Sequence, residues 1–351
     1  MLKFKTSAPT KAILCGEHAV VYGCPAIAVP LTVRTECEVA VVEAEASKGQ
    51  VVVEDPRASG RVTCGGGVFE DSPEFAGKAE VILNVMASGK IDFSSKEIYC
   101  NFARQGIMKG TGGSASAFAA LAIAVYHACG VAPSRQQLFE AVQAGEEVAH
   151  GGRASGIDAI TVVSGRPQLF EKRYDGGGNA EFGFRDADFV LPKGTALVIA
   201  SKIGEKPETT AALVKRFAEG SRITKTAAEL TDTERGRIVE PYRKIVADFQ
   251  KHLNPTGNAR KLGMLLNENH AMLKAAGVSS GSIEAAVEIC RLNGAYGAKL
   301  TGGGGRGGAV IALVAKTGAR KTLSALAKAG FDAFEAEIAT EGATAGGGRN
   351  G

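Results

Sequence analysis

The stretch from Gly106 to Cys129 constrains this chain more than any other. It begins Gly-Ile-Met-Lys-Gly-Thr-Gly-Gly-Ser-Ala-Ser-Ala-Phe and runs on into an alanine-rich segment. Gly110, Gly112 and Gly113 make a loop that bulky residues could not follow. The alanines behind them have high helix propensity, and Ser114 or Ser116 is placed to cap the helix start. A glycine loop feeding a helix presents free backbone N–H groups and the positive end of the helix dipole. That is a ready site for phosphate. It matches neither common fingerprint. A Walker A loop ends in Gly-Lys-Ser/Thr, whereas Lys109 here precedes the glycines; a dinucleotide loop needs glycine where Ala115 stands. The bland alternative is a glycine turn closed by tight helix packing.

At 351 residues the chain is long enough for two domains. A net charge of +4 is slight and, with no basic run carrying interleaved aromatics, gives no reason to expect nucleic acid. The seven cysteines are scattered without a C-x-x-C, which favours reduced thiols in a cytoplasmic protein over disulfides or zinc. No signal peptide is read at Met1–Thr6, and no run reaches the roughly 18 apolar residues of a membrane span, so no membrane partner is expected.

Along the chain, Ala12–Cys15 reads as a strand, followed by a Gly16-Glu17-His18 turn. Ala26–Pro30 and the alternating Thr32–Glu43 read as two more strands, and Ile98–Phe102 as another. Helical spacing marks Ala76–Met86 and Ser134–His150, the latter carrying Glu146 and Glu147 in its last turns. Asp158 falls on a loop or at the start of an element, ahead of the β-prone run Ala159–Val163. Phe189–Pro192 and Thr195–Ala200 read as strands around a domain boundary near residue 190. Beyond it helices dominate: Glu208–Ala218, Lys225–Phe249, Asn258–Ala275 and Ser282–Asn293. A second glycine cluster, Gly302–Gly308, comes after Lys299-Leu300-Thr301 and precedes the strand Ala309–Val314 and the helix Thr322–Ala329. The glycine-rich end, 342–351, reads as a disordered tail.

Three segments, Lys11–Gly23, Lys109–Ala117 and Lys299–Gly308, stand in an order and spacing that resembles the GHMP kinase superfamily. Gly-Glu-His-Ala-Val-Val-Tyr-Gly at 16–23 is similar to the mevalonate kinase form of its first motif. So are His150-Gly151 with Ser155-Gly156-Ile157-Asp158, and Leu266-Asn267-Glu268-Asn269-His270 before Gly277-Val278-Ser279. The chain departs from the pattern in several places. Thr10 replaces a common glycine, one serine of the family's glycine loop is lost, and the segment between His150 and Asp158 is one residue longer. Glu208 stands where a basic residue commonly precedes the Ser/Thr pair, here Thr209-Thr210.

The resemblance implies a two-domain α+β fold: a strand-rich N-terminal domain at 1–190, helices on an antiparallel sheet at 191–341, and the active site in the cleft between them. It implies ATP- and Mg²⁺-dependent phosphorylation of the C5 hydroxyl of mevalonate, and leaves a homodimer open. Lys109, Gly110, Thr111, Gly112, Gly113, Ser114 and Ala115 would hold the phosphates, with Gly303 and Gly304 bringing the third motif close to the nucleotide. Ser114 and one helix carboxylate would take Mg²⁺. Glu146 is chosen over Glu147, because an extra residue fits more easily in the Gly151–Ser155 loop than inside a helix; Glu147 is then read as a solvated charge. Asp158 would take or orient the hydroxyl proton, with Lys11 beside it and Thr210 near the phosphoryl group. Glu17 and His18 would line the mevalonate pocket, and Arg153 is without a role. The alternatives are a GHMP kinase for another small hydroxy acid or alcohol, and a catalytically dead ligand-binding relative.

Overall fold

In this computed structural model the chain is described except for residues 89–90, 104–107, 109, 153, 176, 207, 347–348 and 351 and the side chains of 349–350. The N-terminal part runs β1 (Leu2–Cys15), β2 (Ala26–Glu43), β3 (Gln50–Glu54), β4 (Gly60–Thr63), β5 (Val68–Glu70), α1 (Ala76–Ala87) and β6 (Lys96–Asn101). It continues with α2 (Gly113–Ala128), α3 (Arg135–Ala149), α4 (Ile157–Ser164), β7 (Gln168–Tyr174) and β8 (Ala180–Asp186). The C-terminal part runs β9 (Thr195–Lys202), α5 (Thr210–Gly220), α6 (Asp232–His252), α7 (Ala259–Ala275), α8 (Gly281–Leu292), β10 (Gly297–Thr301), β11 (Ala309–Ala315), α9 (Ala319–Lys328) and β12 (Phe331–Ala336). Two short strands close the chain, β13 (Thr344–Ala345) and β14 (Arg349–Asn350).

The first sheet has the order β13-β1-β2-β6-β3-β4-β5, with β14 also on β1, β7 on β2 and β8 on β7. Its ladders are antiparallel except β3 with β6. Helices α1 to α4 share a core with it. The second sheet, β10-β11-β9-β12, is antiparallel and packs with the C-terminal helices.

The first strand joins the two cores. Its opening residues alternate between buried and exposed, as in a strand with one wet face. From Ala8 to Cys15 it is buried continuously, because Ala12 and Leu14 pack with the second sheet while Ala8 and Ile13 pack with the helices of the first. Lys11 therefore stands in a doubly covered strand and needs a partner for its charge.

Several local expectations change. The Ala159–Val163 run is helical rather than extended. Gly156 turns the chain at φ 94°, Asp158 sits in the first turn where the helix dipole favours a carboxylate, and the Thr161 hydroxyl bonds back to Ile157 O. The segments around Pro30 form one strand, with a register shift opposite Pro9 and Thr10. Phe189–Pro192 is loop. Neither Ser114 nor Ser116 caps α2: Gly112 is the N-cap residue, and the Ser116 hydroxyl donates to Ala8 O at 2.7 Å. The end of the chain is not a free tail. Thr344–Ala345 pairs with Ser7 and Thr6, and Arg34 donates to the carbonyls of Glu341 and Gly342.

Candidate active site

A cleft of about 560 Å³ opens where the two sheets meet. Lys11 and Asp158 lie in its wall, joined by a 3.0 Å ion pair. The lysine side chain is 2% exposed, so the carboxylate at the head of α4 offsets a charge burial would otherwise oppose. Glycine makes the arrangement possible. A Cβ on Gly112 would lie 2.7 Å from Lys11 Cε, and its φ of 72° disfavours any side chain. The Lys11 N–H also donates to Thr111 O at 2.8 Å, tying β1 to the glycine loop.

Gly110, Gly112, Gly113 and Ser114 line the cleft at the head of α2. Thr111 and Ala115 do not: the Thr111 hydroxyl donates to Met108 O, and Ala115 is buried in the helix core. Lys109 and Arg153 fall outside the described residues.

Across from this loop stand Glu17 and His18. Gly16 permits the turn, since its φ is 95° and a Cβ would meet Pro25 O at 2.6 Å. His18 has φ 57°, which is costly for a non-glycine residue and of the kind that collects at functional sites. Its Nε2–H donates to Gly303 O at 3.0 Å, and its ring stacks on Phe217. Burial pushes His18 down to about 4, so the ring is neutral near pH 7. Glu17 pairs with Lys299 on β10, and both are fully buried. Burial pushes the carboxyl up and the ammonium down, while their attraction opposes both shifts.

Glu146, and not Glu147, faces the cleft. Its Oε2 lies 3.1 Å from His150 Nε2. Burial alone would push His150 down; the bond and charge of Glu146, with the charge of Asp158, carry it above its ordinary value. Glu147 is no solvated charge. It accepts from the Gln143 side chain at 2.9 Å and from Ala154 N–H at 3.2 Å.

Thr210 opens α5 and, with Gly303 and Gly304, lines the opposite wall. Among the described residues, four acceptors in the cleft wall are buried without a protein partner: Glu17 Oε2, His18 Nδ1, Gln143 Oε1 and Glu146 Oε1. Native structures leave few such atoms, and their gathering in one cleft marks a place for ligands.

Sequence reading gave no role to Lys299, although a lysine inside the apolar strand Gly297–Thr301 was a visible signal. Its neighbour Thr301 exchanges two hydrogen bonds with the backbone of Ile13, locking the sheets together.

This arrangement has known counterparts. The family GHMP kinases N terminal domain matches residues 95–166, and GHMP kinases C terminal matches 245–332. The chain belongs to the GHMP kinase family, whose fold joins a strand-rich first domain to helices on an antiparallel sheet. Within it, the mevalonate kinase of Pyrococcus abyssi is 30% identical over 351 residues, covering 96% of each chain. That of Pyrococcus furiosus is 28% identical over 97% of this chain and 98% of its own. The crystal structure of L. major mevalonate kinase in complex with R-mevalonate has the same fold, with a TM-score of 0.71 at 23% identity and 96% of each chain covered.

Proposed function

We propose that this chain transfers the γ-phosphoryl group of ATP to the C5 hydroxyl of mevalonate, with residues 1–190 and 191–341 as the two lobes around the reaction. The 3.0 Å pair of Lys11 with Asp158, in a cleft headed by the α2 glycine loop, carries the reading. The relatives named mevalonate kinase supply the acceptor.

Phosphoryl transfer needs phosphates held, charge neutralised and the nucleophile aligned. The N–H groups at the head of α2 and its dipole receive the phosphates through Gly110, Gly112, Gly113 and Ser114. Asp158 accepts the hydroxyl proton as the C5 oxygen bonds to the γ-phosphorus and the bond to the β–γ bridging oxygen breaks, releasing ADP. The Lys11 ammonium, paired with Asp158, stabilises charge on the incoming oxygen. Thr210 stands by the transferred group. Glu17 and His18 orient mevalonate through their unpartnered acceptors.

The unpartnered Glu146 Oε1 fits a divalent cation, since a buried carboxylate oxygen without a donor suits an oxygen-seeking ion. Glu146 and the Ser114 hydroxyl would hold Mg²⁺, which neutralises phosphate charge when bound. A homodimer in the cytoplasm belongs to the same reading. Among the described residues no helix is long and apolar enough to cross a membrane.

A coupled ADP-release assay over mevalonate, phosphomevalonate, homoserine and galactose tests the reading. Turnover should be strongest with mevalonate; preference for another acceptor would overturn the substrate assignment.

A further inference from the structure

The segment between α3 and α4 delivers Asp158, and it leaves α3 through two glycines with positive φ, Gly151 and Gly152. One residue in it is gripped on both sides of its Cα. Ala154 N–H donates to Glu147 Oε2 at 3.2 Å, and Ala154 O accepts from Lys172 Nζ at 3.0 Å. Ala154 is buried and lines the cleft.

Both gripping groups are themselves held. The second oxygen of Glu147 takes the Gln143 amide at 2.9 Å, one helical turn back along α3. Lys172 sits on β7 directly opposite Phe182 of β8, is 7% exposed, and lies 5.5 Å from that ring and 5.8 Å from Tyr174. Phe182 also packs against Gly156, the residue that starts α4, where a Cβ would meet the ring at 2.9 Å. Burial pushes the Lys172 ammonium down while Glu147 pulls it up. A lysine in such a place needs an acceptor, and the Ala154 carbonyl supplies one.

We propose that Glu147 and Lys172 form a charged clamp on Ala154, holding the backbone on both sides of its Cα, and are positioning residues for Asp158, acting through the loop rather than on the reactants. The inference rests on the kinase reading only for the identity of the reaction whose rate it sets. The clamp itself is independent of substrate. A hydrogen bond from a charged group is stronger than a neutral one and directional, so two at one residue, one on each flanking peptide group, fix the loop at Ala154.

The test uses the full chain and three variants: Lys172→Met, Lys172→Arg and Glu147→Ala. Lys172→Met keeps the stem and the aromatic contacts but removes the donor. Amide exchange of Ala154 and Ser155 in the ligand-free protein should speed up in Lys172→Met and Glu147→Ala, and Lys172→Arg should restore protection. With ATP and mevalonate, kcat should fall between about tenfold and 10²-fold in the first two, the scale of a small misplacement near the chemistry. ATP affinity by calorimetry and the Mg²⁺ concentration for half-maximal rate should be unchanged. The effects of Lys172→Met and Glu147→Ala should be less than additive in the double variant. Unchanged exchange at Ala154 would overturn the clamp whatever the substrate is. A raised Mg²⁺ requirement in Glu147→Ala with no effect of Lys172→Met would overturn it too, by making Glu147 a metal ligand. Failure to phosphorylate mevalonate with exchange changed as expected would sink the function and leave the clamp standing.

Discussion

The two glycine clusters of this chain look alike in sequence and do different things. At 110–113 the glycines lead into α2, and no acceptor among the described residues takes the N–H groups of Gly113, Ser114 or Ala115. At 302–308 they lead into β11, and the N–H groups of 305–308 turn inward. Gly305 donates to Val278 O, Arg306 to Glu208, Gly307 to Glu205, and Gly308 to Gly305 O. The first cluster offers donors to a ligand. The second uses those four donors to fasten the loops ahead of α5 and α8 to its own turn. Glycine count does not decide which kind a loop is. The element the loop feeds, and the acceptors packed around it, decide. The two clusters meet at one point, where a Cβ on Gly302 would lie 2.8 Å from Gly110 O.

If chemistry belongs to the first side, the largest effect should come from Asp158→Asn. The substitution keeps size and hydrogen bonding, and the helix start should fold as before. A general base contributes about 10²–10⁴-fold, so kcat should fall at least about a hundredfold while nucleotide binding by calorimetry survives. A kcat within about threefold of wild type would remove Asp158 from catalysis, because a general base is worth far more. Collapse of binding along with kcat would make its role structural.

Next come the glycines themselves. Gly112→Ala forces a methyl group into the Lys11 stem at a positive φ. Gly303→Ala meets Leu213 Cδ1 at 3.3 Å and Thr210 Oγ1 at an ordinary 3.7 Å, on ordinary backbone. The first should cost kcat in the range of about 10²-fold expected for a displaced catalytic group, and the second far less. Equal losses would erase the contrast between the clusters. Ser114→Ala and Glu146→Ala should weaken Mg²⁺-dependent turnover and raise the Mg²⁺ requirement. Glu147→Ala should leave that requirement alone and cost less; the reverse ranking would mean that the extra residue lies inside α3.

A smaller effect is expected on the second side. Glu208 accepts from Arg306 N–H at 2.7 Å and pairs with Arg216. Glu208→Gln keeps one acceptor and loses the charge, so thermal unfolding should show a loss of about 1 kcal/mol, the usual scale of one hydrogen bond. A Km effect without any fall in stability would instead put Glu208 in contact with substrate.

The same contrast explains how much could be read from residues alone. The glycine loop could be read from its residues, whereas the first motif and Asp158 were legible through their resemblance to the GHMP kinase motifs. The C-terminal helices were readable as elements but not in every start: the one read from Lys225 begins at Asp232, capped by Thr231, and the one read from Ser282 begins at Gly281, capped by Ser280. Long-range context was not readable. The α4 segment is rich in Ile, Thr and Val, and its helix depends on Gly156 and packing on α2 and α3. The 342–346 segment looked too poor in apolar residues to order, yet Arg34, some 300 residues earlier, holds its carbonyls. The role of Glu147 depended on Ala154 lying over it, which no helical spacing could show.

A change of pH separates the frame from the chemistry. His270, on α7, is 3% exposed and buttresses the strand that enters the second cluster. Leu300 N–H donates to its Nδ1 at 3.3 Å, so the proton is on Nε2, which donates to Glu284 Oε1 at 3.1 Å. Burial first, then the charges of Lys299 and Arg291, hold the ring down to about 4 against the pull of Glu284. The unfolded chain binds this proton near pH 6.5 and the native state does not. The contribution to stability is therefore complete above about pH 6.5 and is lost as pH falls toward about 4. At 1.36 kcal/mol per pKa unit the full loss is at most about 3 kcal/mol. In guanidinium unfolding, the stability gap between wild type and His270→Gln should narrow steadily as pH falls from 7 to 4.5, and kcat at pH 7.5 should change far less than in Asp158→Asn. A gap that stays constant with pH would mean the ring is not held neutral. A kcat loss as deep as that of Asp158→Asn would mean that this side of the cleft is more than a frame.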